Sequence, residues 1–179
     1  NVDLDPDLFD REIHQRLTPE INEALRPAQR DAVSRMIRAK RCINGAGMGT
    51  GKTIQGISCM VYNHAVCPSD GVDIVFCPAY LAANWKDEFL KWNPQREVHL
   101  MKSGTAELSR NAVNIVSYDT AARVFAAGLP AGFTLRTALC DESHYLKTRT
   151  SKRFTSLSPV LKRAKNLFLL TGTPLHNLT

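Results

Sequence analysis

Residues 45–53 read Gly-Ala-Gly-Met-Gly-Thr-Gly-Lys-Thr, and this stretch decides how the rest of the chain is interpreted. Glycine reaches backbone angles that other residues avoid, and it lets main-chain N–H groups approach an anion closely. The ammonium of Lys52 can then reach terminal phosphates, and the Thr53 hydroxyl can bind Mg²⁺. The alternative is a flexible glycine turn. The pattern predicts a phosphate-binding loop whose contact residues are Gly47, Met48, Gly49, Thr50, Gly51, Lys52 and Thr53.

The segments on either side of this loop favour the phosphate-binding interpretation over the turn. Arg41–Asn44 has the length and composition of a short strand, and Thr53–Val61 reads as a buried helix. Strand, glycine loop and helix in that order are the context that a phosphate-binding loop requires.

Composition sets the broad class of the protein. The chain has 179 residues, 44% of them hydrophobic, which is enough for one domain with a core. No apolar run approaches the roughly 20 residues of a membrane span, and the acidic start does not resemble a signal peptide. The missing initiator Met and the abrupt last residues are typical of a piece of a longer protein. A net charge of +6 permits contact with nucleic-acid phosphates.

Five cysteines occur without a Cys-x-x-Cys pair, and several lie within apolar runs. This pattern predicts reduced core thiols in an intracellular protein and argues against a zinc site. They are Cys42, Cys59, Cys67, Cys77 and Cys140.

Apolar runs alternate with helical patterns along most of the chain. Residues 1–24 are interpreted as a lead-in, with a helix near 7–17, that packs on a domain formed by residues 25–179. Pro27 suits the first turn of the next helix, Asn84 can cap another, and Asp119 or Thr120 a third. Alternating strands and helices predict a parallel sheet with helices on both faces. The strands are predicted at residues 41–44, 72–77, 97–101, 113–118, 135–140 and 166–170.

Asp141 and Glu142 follow an apolar strand directly. Ligands of parallel sheets bind beyond the carboxyl ends of strands, so this pair can meet the glycine loop. Asp141 would then hold Mg²⁺, and Glu142 would orient and deprotonate the attacking water. The alternative is an ordinary solvated acidic pair.

Three further candidates each have a structural alternative. Gln29 can donate to and accept from an adenine edge, or can simply be solvated. His144 can couple the acidic pair to the next loop, or can be structural. Trp85, with Phe89 and Trp92 at helical spacing, is interpreted chiefly as core. The end of the last predicted strand can sense the γ-phosphate, or can be a plain turn; it comprises Thr171, Gly172 and Thr173.

Five motifs in this order resemble the first ATPase lobe of helicase superfamily two. They are Leu-Arg-Pro-x-Gln, Gly-Met-Gly-Thr-Gly-Lys-Thr, Cys-Pro-Ala-x-Leu-x-x-Asn-Trp-x-x-Glu-Phe, Asp-Glu-Ser-His and Leu-Thr-Gly-Thr-Pro-Leu-x-Asn, which together cover residues 25–177. The Asn-Trp and Glu-Phe pairs and Asp-Glu-Ser-His-Tyr-Leu-Lys resemble the Swi/Snf branch, and Ser143 is similar to its annealing-helicase subgroup. The fold implied is an α/β, three-layer parallel sheet of the RecA-like P-loop NTPase type.

This resemblance implies an ATP- and Mg²⁺-dependent motor that tracks along double-stranded DNA and remodels chromatin, protein–DNA complexes or DNA junctions. It implies adenine reading by Gln29 and ATP chemistry at Lys52, Thr53, Asp141 and Glu142. The implied location is intracellular, nuclear in a eukaryote and cytoplasmic in a bacterium or virus, with no membrane partner. The residues implied to face DNA are Pro78, Ala79, Trp85, Lys86, Ser117 and Tyr118, with Lys91, Lys147 and Arg149 as further phosphate contacts.

Two differences from the family pattern qualify the resemblance. Asn-Gly-Ala-Gly at residues 44–47 replaces the acidic lead-in that is usual in the Swi/Snf branch. The second ATPase lobe, with its arginine fingers, does not follow Thr179, so we expect these residues alone to bind nucleotide weakly and hydrolyse it poorly.

Other interpretations are an RNA helicase lobe, a catalytically inactive scaffold lobe, and a small-molecule kinase or GTPase. The Asn-Trp and Glu-Phe segment argues against the RNA helicase, and the intact Lys52, Asp141 and Glu142 argue against the scaffold. A GTPase would need an Asn-Lys-x-Asp segment, which the sequence lacks.

Overall fold

A computed structural model of the chain describes residues 6–104 and 107–172. Its centre is a six-stranded sheet in which every pairing is parallel. The spatial order is β1-β6-β5-β2-β4-β3. The predicted strands are confirmed, with β3 and β4 slightly shorter than expected. They are β1 (Arg41–Asn44), β2 (Val72–Cys77), β3 (Val98–Leu100), β4 (Val113–Ser117), β5 (Leu135–Cys140) and β6 (Asn166–Leu170).

Helices cover both faces of the sheet, which confirms the three-layer prediction. The apolar side chains of α1 to α5 form one core cluster with one face of the sheet, and those of α6 and α7 form the second cluster with the other face. The helices are α1 (Pro6–Arg16), α2 (Pro19–Ala24), α3 (Pro27–Ala39), α4 (Lys52–Val66), α5 (Ala82–Trp92), α6 (Tyr118–Val124) and α7 (Lys152–Arg163). Short 3-10 turns occupy residues 79–81 and 143–146.

The amino-terminal residues contribute directly to the core. Ile13, Leu17 and Ile21 are buried in the first cluster. The Thr18 hydroxyl donates a 2.6 Å hydrogen bond to the Trp92 carbonyl. Residues 13–21 therefore share a core with the rest of the fold, and the separate helix α2 was not anticipated.

Two predicted helix caps are wrong. α5 begins at Ala82, after a 3-10 turn, so Asn84 lies exposed inside the helix instead of capping it. The cap of α6 is Ser117, whose side chain accepts from the Thr120 N–H, because the strand ends one residue earlier than expected.

The cysteine prediction is wrong for one residue. Cys59, Cys77 and Cys140 are buried and Cys42 is half-buried, but Cys67 is exposed at the end of α4. All five are free thiols. None of the helices in the described ranges is long and apolar enough to span a membrane.

The strand register places the loops of interest at one edge of the sheet. Asn44 of β1 is level with Leu170 of β6, and Leu169 is level with Cys140 of β5. Because neighbouring strands lie about 4.8 Å apart, β1 and β5 are separated by about 10 Å with β6 between them. The glycine loop, Thr171–Gly172 and Asp141 therefore emerge side by side.

Candidate nucleotide-binding site

The glycine loop connects β1 to α4 and contains two left-handed residues. Gly49 has φ of +74° and Gly51, the N-cap of α4, has φ of +79°. A Cβ atom at Gly51 would also lie 2.2 Å from Gln29 Nε2. Glycine is therefore required at residue 51 for both its backbone angle and the space it leaves.

Lys52 opens α4 and its ammonium turns back into the loop. Its Nζ donates to the carbonyl oxygens of Ala46 at 2.7 Å and Gly47 at 2.8 Å. The end of β6 approaches the same group, because a Cβ on Gly172 would lie 3.8 Å from Nζ and 3.4 Å from Met48 Cγ. The structure therefore brings together Lys52 and Gly172, which are 120 positions apart in the sequence. Met48 borders this region and is 89% exposed.

A polar brace that the sequence analysis missed supports the loop. Asn44 Nδ2 donates to Gln55 Oε1 at 2.8 Å, and Asn44 Oδ1 accepts from the Ala46 N–H at 3.2 Å. The amides of Gln55 and Gln29 both donate to the Thr50 carbonyl, at 3.1 and 3.0 Å. The available signal was Gln55, a polar side chain in the first turn of an otherwise largely apolar helix, where burial demands a hydrogen-bond partner.

Gln29 has a structural role in addition to its predicted one. It is 8% exposed, and its Oε1 accepts from the Arg26 N–H at 3.0 Å in the first turn of α3. An amide oxygen accepts twice and an amide nitrogen donates twice, so one acceptor and one donor position remain. A cleft of about 780 Å³ lies beside it, lined by Arg26, Pro27, Gln29, Asn44, Gly49 and Thr50 among others. Adenine reading by Gln29 stays a prediction.

The acidic strand end is held by hydrogen bonds from three elements. Asp141 Oδ2 accepts from Trp85 Nε1 at 2.8 Å, and Oδ1 accepts from the Glu142 N–H at 2.8 Å. The Asp141 backbone N–H donates to the Phe76 carbonyl, and its carbonyl accepts from the Tyr118 hydroxyl at 2.6 Å. Residues of β2 and α6 therefore hold the Asp141 backbone, and Trp85 of α5 together with the Glu142 N–H orients its carboxylate.

Glu142 adopts a left-handed backbone conformation, with φ of +48° and ψ of +49°. For a residue other than glycine this costs on the order of 1–3 kcal/mol, and such strain concentrates at functional sites. The conformation directs the chain into the 3-10 turn at residues 143–146. His144 Nδ1 then lies 3.1 Å from Glu142 Oε2, and its ring packs 4.9 Å from that of Tyr145.

Some of the residues that were predicted to face DNA have buried side chains. Trp85 and Tyr118 are each 1% exposed and Pro78 is buried, so their side chains do not face solvent. Trp85 belongs to the core, as its helical spacing indicated, and both aromatic side chains donate to Asp141. Burial raises the pKa of the Tyr118 phenol, so this donor keeps its proton. Ala79 is exposed, and Lys86 and Ser117 are half-buried.

One exposed aromatic residue in this region was not singled out by the sequence analysis. Tyr80 is 72% exposed in the 3-10 turn that precedes α5, within the segment that the resemblance assigns to DNA. An aromatic residue in a Cys-Pro-Ala-x-Leu segment could have been singled out by its type alone.

The predicted coupling residues are only partly described. Thr171 is 1% exposed, and its N–H donates to the Asn44 carbonyl at 3.1 Å, which ties the end of β6 to the start of the glycine loop. Gly172 contacts the Lys52 region as noted above. Thr173 lies outside the described residues. Coupling through His144 stays a prediction.

The residues present fit a magnesium nucleotide. The Gly51 N-cap leaves the first N–H groups of α4 without a side-chain acceptor, and Lys52 supplies a cation beside them. Such helix termini bind phosphate. In residues 6–104 and 107–172, no group of three or more His, Cys, Asp or Glu side chains could hold a metal alone. Mg²⁺ binds through one or two protein oxygens together with phosphates and water, and Asp141 and Thr53 carry oxygens of this kind.

A parallel sheet in this order, with the glycine loop after β1 and the acid after β5, defines the protein class as an α/β domain of the RecA-like P-loop type. The chain belongs to the SNF2-related domain family, whose family model matches residues 28–179. This confirms the resemblance to the Swi/Snf branch.

Named relatives agree with this assignment. A "SWI/SNF-related matrix-associated actin-dependent regulator of chromatin subfamily A-like protein 1" from Xenopus laevis is 34% identical over 154 residues, covering 84% of this chain and 15% of the relative. The "DNA annealing helicase and endonuclease ZRANB3" of Mus musculus is 31% identical, covering 88% of this chain and 15% of that protein. The chain thus spans about 15% of the length of each of these two relatives.

A solved structure shares the fold. It is described as the "Sulfolobus solfataricus SWI2/SNF2 ATPase core in complex with dsDNA", and it matches with a TM-score of 0.75 at 24% identity. The match covers 92% of this chain and 35% of that one.

Proposed function

We propose that residues 25–179 form the first ATP-binding lobe of a DNA-dependent ATPase that moves along double-stranded DNA and remodels chromatin, protein–DNA complexes or DNA junctions. The observation that carries this proposal is the shared edge of β1, β6 and β5, where Lys52, Gly172 and Asp141 emerge together. A second lobe of the same protein would complete the nucleotide cleft. The proposed location is the nucleus in a eukaryote and the cytoplasm in a bacterium or virus.

Each site residue has a proposed chemical role. Lys52 would bind the terminal phosphates of ATP, and Glu142 would orient the attacking water and accept its proton. The Thr53 hydroxyl and the Asp141 carboxylate would hold Mg²⁺, which when bound supplies charge neutralisation at the phosphate oxygens. Gln29 would read adenine with the donor and acceptor positions that Arg26 and Thr50 leave available.

Nucleotide binding would require a local change in the glycine loop. The carbonyl oxygens of Ala46 and Gly47 point at the Lys52 ammonium. In this position the two carbonyl oxygens would repel the oxygens of a bound phosphate. Rotation of the peptides around Gly47 would turn N–H groups inward and release Lys52. A Cβ at Gly47 would meet no other atom within 4 Å, so the loop is open on that side of Gly47.

The proposed DNA-facing surface lies around the turn at residues 79–81 and the start of α5. Ala79 and Tyr80 are exposed there, and Lys86 is partly exposed on the next turn. Two relatives are named for chromatin regulation and for DNA annealing, and the solved structure is described as bound to double-stranded DNA. The net charge of +6 suits the same partner.

The decisive experiment measures ATP hydrolysis by the full-length protein with double-stranded DNA, single-stranded DNA or RNA. Stimulation chiefly by double-stranded DNA is expected. Stimulation by RNA alone would indicate an RNA helicase, and hydrolysis at background level under all conditions would indicate a scaffold lobe.

Lys52→Ala is expected to abolish this hydrolysis, because the phosphates lose their cation. Lys165→Ala is a matched control, since Lys165 pairs with Asp70 at the opposite edge of the sheet. It should leave the rate unchanged. Hydrolysis that survives in Lys52→Ala would place the site elsewhere.

A further inference from the structure

Trp85 is the largest fully buried side chain among the described residues, yet its polar atom does not bond to the backbone. The indole N–H reaches from α5 to the strand end after β5 and donates to Asp141 Oδ2 at 2.8 Å. A buried indole needs an acceptor, and any nearby carbonyl would have satisfied it. Here the acceptor is the carboxylate assigned to Mg²⁺.

Both oxygens of this carboxylate are held by N–H groups. Trp85 Nε1 binds Oδ2 and the Glu142 N–H binds Oδ1, each at 2.8 Å. An ionised carboxylate has about four acceptor positions, so two donors orient it without exhausting it. The remaining lone pairs have directions set by these two bonds.

The second tryptophan of the chain provides a contrast. Trp92 lies on the same helix, two turns later, and its Nε1 donates to Glu88 Oε2 at 2.9 Å. That bond stays within α5, one turn apart, and involves no residue of the proposed site. Both indoles therefore donate to a carboxylate, but only the Trp85 bond involves a residue of the proposed site.

We propose that Trp85 is a positioning residue that orients the Asp141 carboxylate for a divalent cation. The inference rests on the proposed function of this site. Residues that orient metal ligands from outside the coordination sphere typically change metal affinity by about 10- to 100-fold when they are replaced. Phenylalanine at residue 85 would keep the buried ring and remove only the N–H donor.

The test compares the wild type with Trp85→Phe and the matched control Trp92→Phe. Binding of a fluorescent ATP analogue is titrated without divalent cation, in EDTA, and then against increasing Mg²⁺. Mg²⁺ is expected to increase the affinity for the ATP analogue, and the Mg²⁺ concentration that gives half of this increase is the measured quantity. It should be the same in the wild type and in Trp92→Phe. Trp85→Phe should keep the metal-free affinity and require about 10- to 100-fold more Mg²⁺.

The outcomes separate the inference from the function on which it rests. If the wild type binds the analogue with Mg²⁺ and Trp85→Phe needs the same Mg²⁺ concentration, the positioning role is wrong. If Trp85→Phe loses metal-free affinity to the same degree, the residue is merely structural, and the inference also fails. If the wild type does not bind the analogue at all, the proposed function falls, and the inference with it.

A second measurement covers the case in which Trp85→Phe does not fold. This measurement uses residues 1–179 alone, in which Trp92→Phe leaves Trp85 as the only tryptophan, so the emission reports on the indole beside Asp141. Adding Mg²⁺ to the ATP-bound protein should change this emission, and Asp141→Asn should remove the change. Constant emission in Trp92→Phe would overturn the inference.

Discussion

Asp73→Asn is the substitution whose effect on stability the structure predicts most directly. Asp73 is fully buried at the amino end of β2 and is shared by two guanidinium groups. Its oxygens accept from Arg136 Nε at 3.0 Å and Nη2 at 2.6 Å, and Arg96 Nη2 lies 2.8 Å from Oδ2. Both arginines are also buried, so the asparagine variant would leave two cations in the core without a counter-charge.

The expected loss is large because of this burial. Removing one partner of a buried ion pair costs about 3–5 kcal/mol. With a slope of about 2 kcal/mol per molar urea, the unfolding midpoint should fall by about 2 M. Asp119→Asn is the matched control, because Asp119 binds Arg153 at 2.7 Å but its side chain is 72% exposed. An exposed pair contributes about 0–1 kcal/mol.

Urea unfolding followed by circular dichroism measures both variants. If Asp73→Asn is too unstable to purify, Arg96→Met gives a second reading. In Arg96→Met, Asp73 keeps its two hydrogen bonds to Arg136. The free energy of unfolding should therefore fall less than in Asp73→Asn, and Arg96→Met should fold under conditions in which Asp73→Asn does not. Equal midpoints for Asp73→Asn and Asp119→Asn would refute the argument from burial.

Three further outcomes are expected. Gly51→Ala should abolish nucleotide binding, measured by titration of a fluorescent ATP analogue, because alanine is strained at φ of +79° and its Cβ would collide with Gln29 Nε2. Tyr118→Phe should lower the free energy of unfolding by about 1–2 kcal/mol in a thermal melt, because Asp141 loses the 2.6 Å O–H donor at its carbonyl. Burial raises the pKa of the Cys77 thiol from about 9 to about 12. The unfolded chain therefore loses this proton first, and stability should fall between pH 9 and pH 12, less steeply in Cys77→Ala.

The parts of the fold that depend on neighbours in sequence were predictable. The glycine loop combines flexible glycines, a cation and a hydroxyl within nine residues, so its proposed chemistry can be inferred from this short segment alone. Strands β2, β5 and β6 match their predicted bounds, because apolar residues predominate in each of these short buried strands. Since the carboxyl ends of parallel strands lie at one edge, the placement of the glycine loop and Asp141 at the same edge also followed.

The helix starts were less predictable, because several residues compete for each cap. Asn84 is a good capping type, but a 3-10 turn begins the helix two residues earlier. Ser117, and not Asp119 or Thr120, is the N-cap of α6. The reason is that β4 ends at Ser117, which has the extended backbone conformation that an N-cap requires.

The sequence by itself determined the class of fold and the family, and it supplied the residues that are proposed to carry the chemistry. Only the tertiary structure decided which side chains orient them. The Trp85 indole and the Tyr118 hydroxyl come to Asp141 from 56 and 23 residues away, and Gln29 reaches Thr50 across 21. Hydrogen bonds between residues so far apart in sequence depend on how the helices pack on the sheet. That packing decides which acceptor lies within about 3 Å of each buried donor.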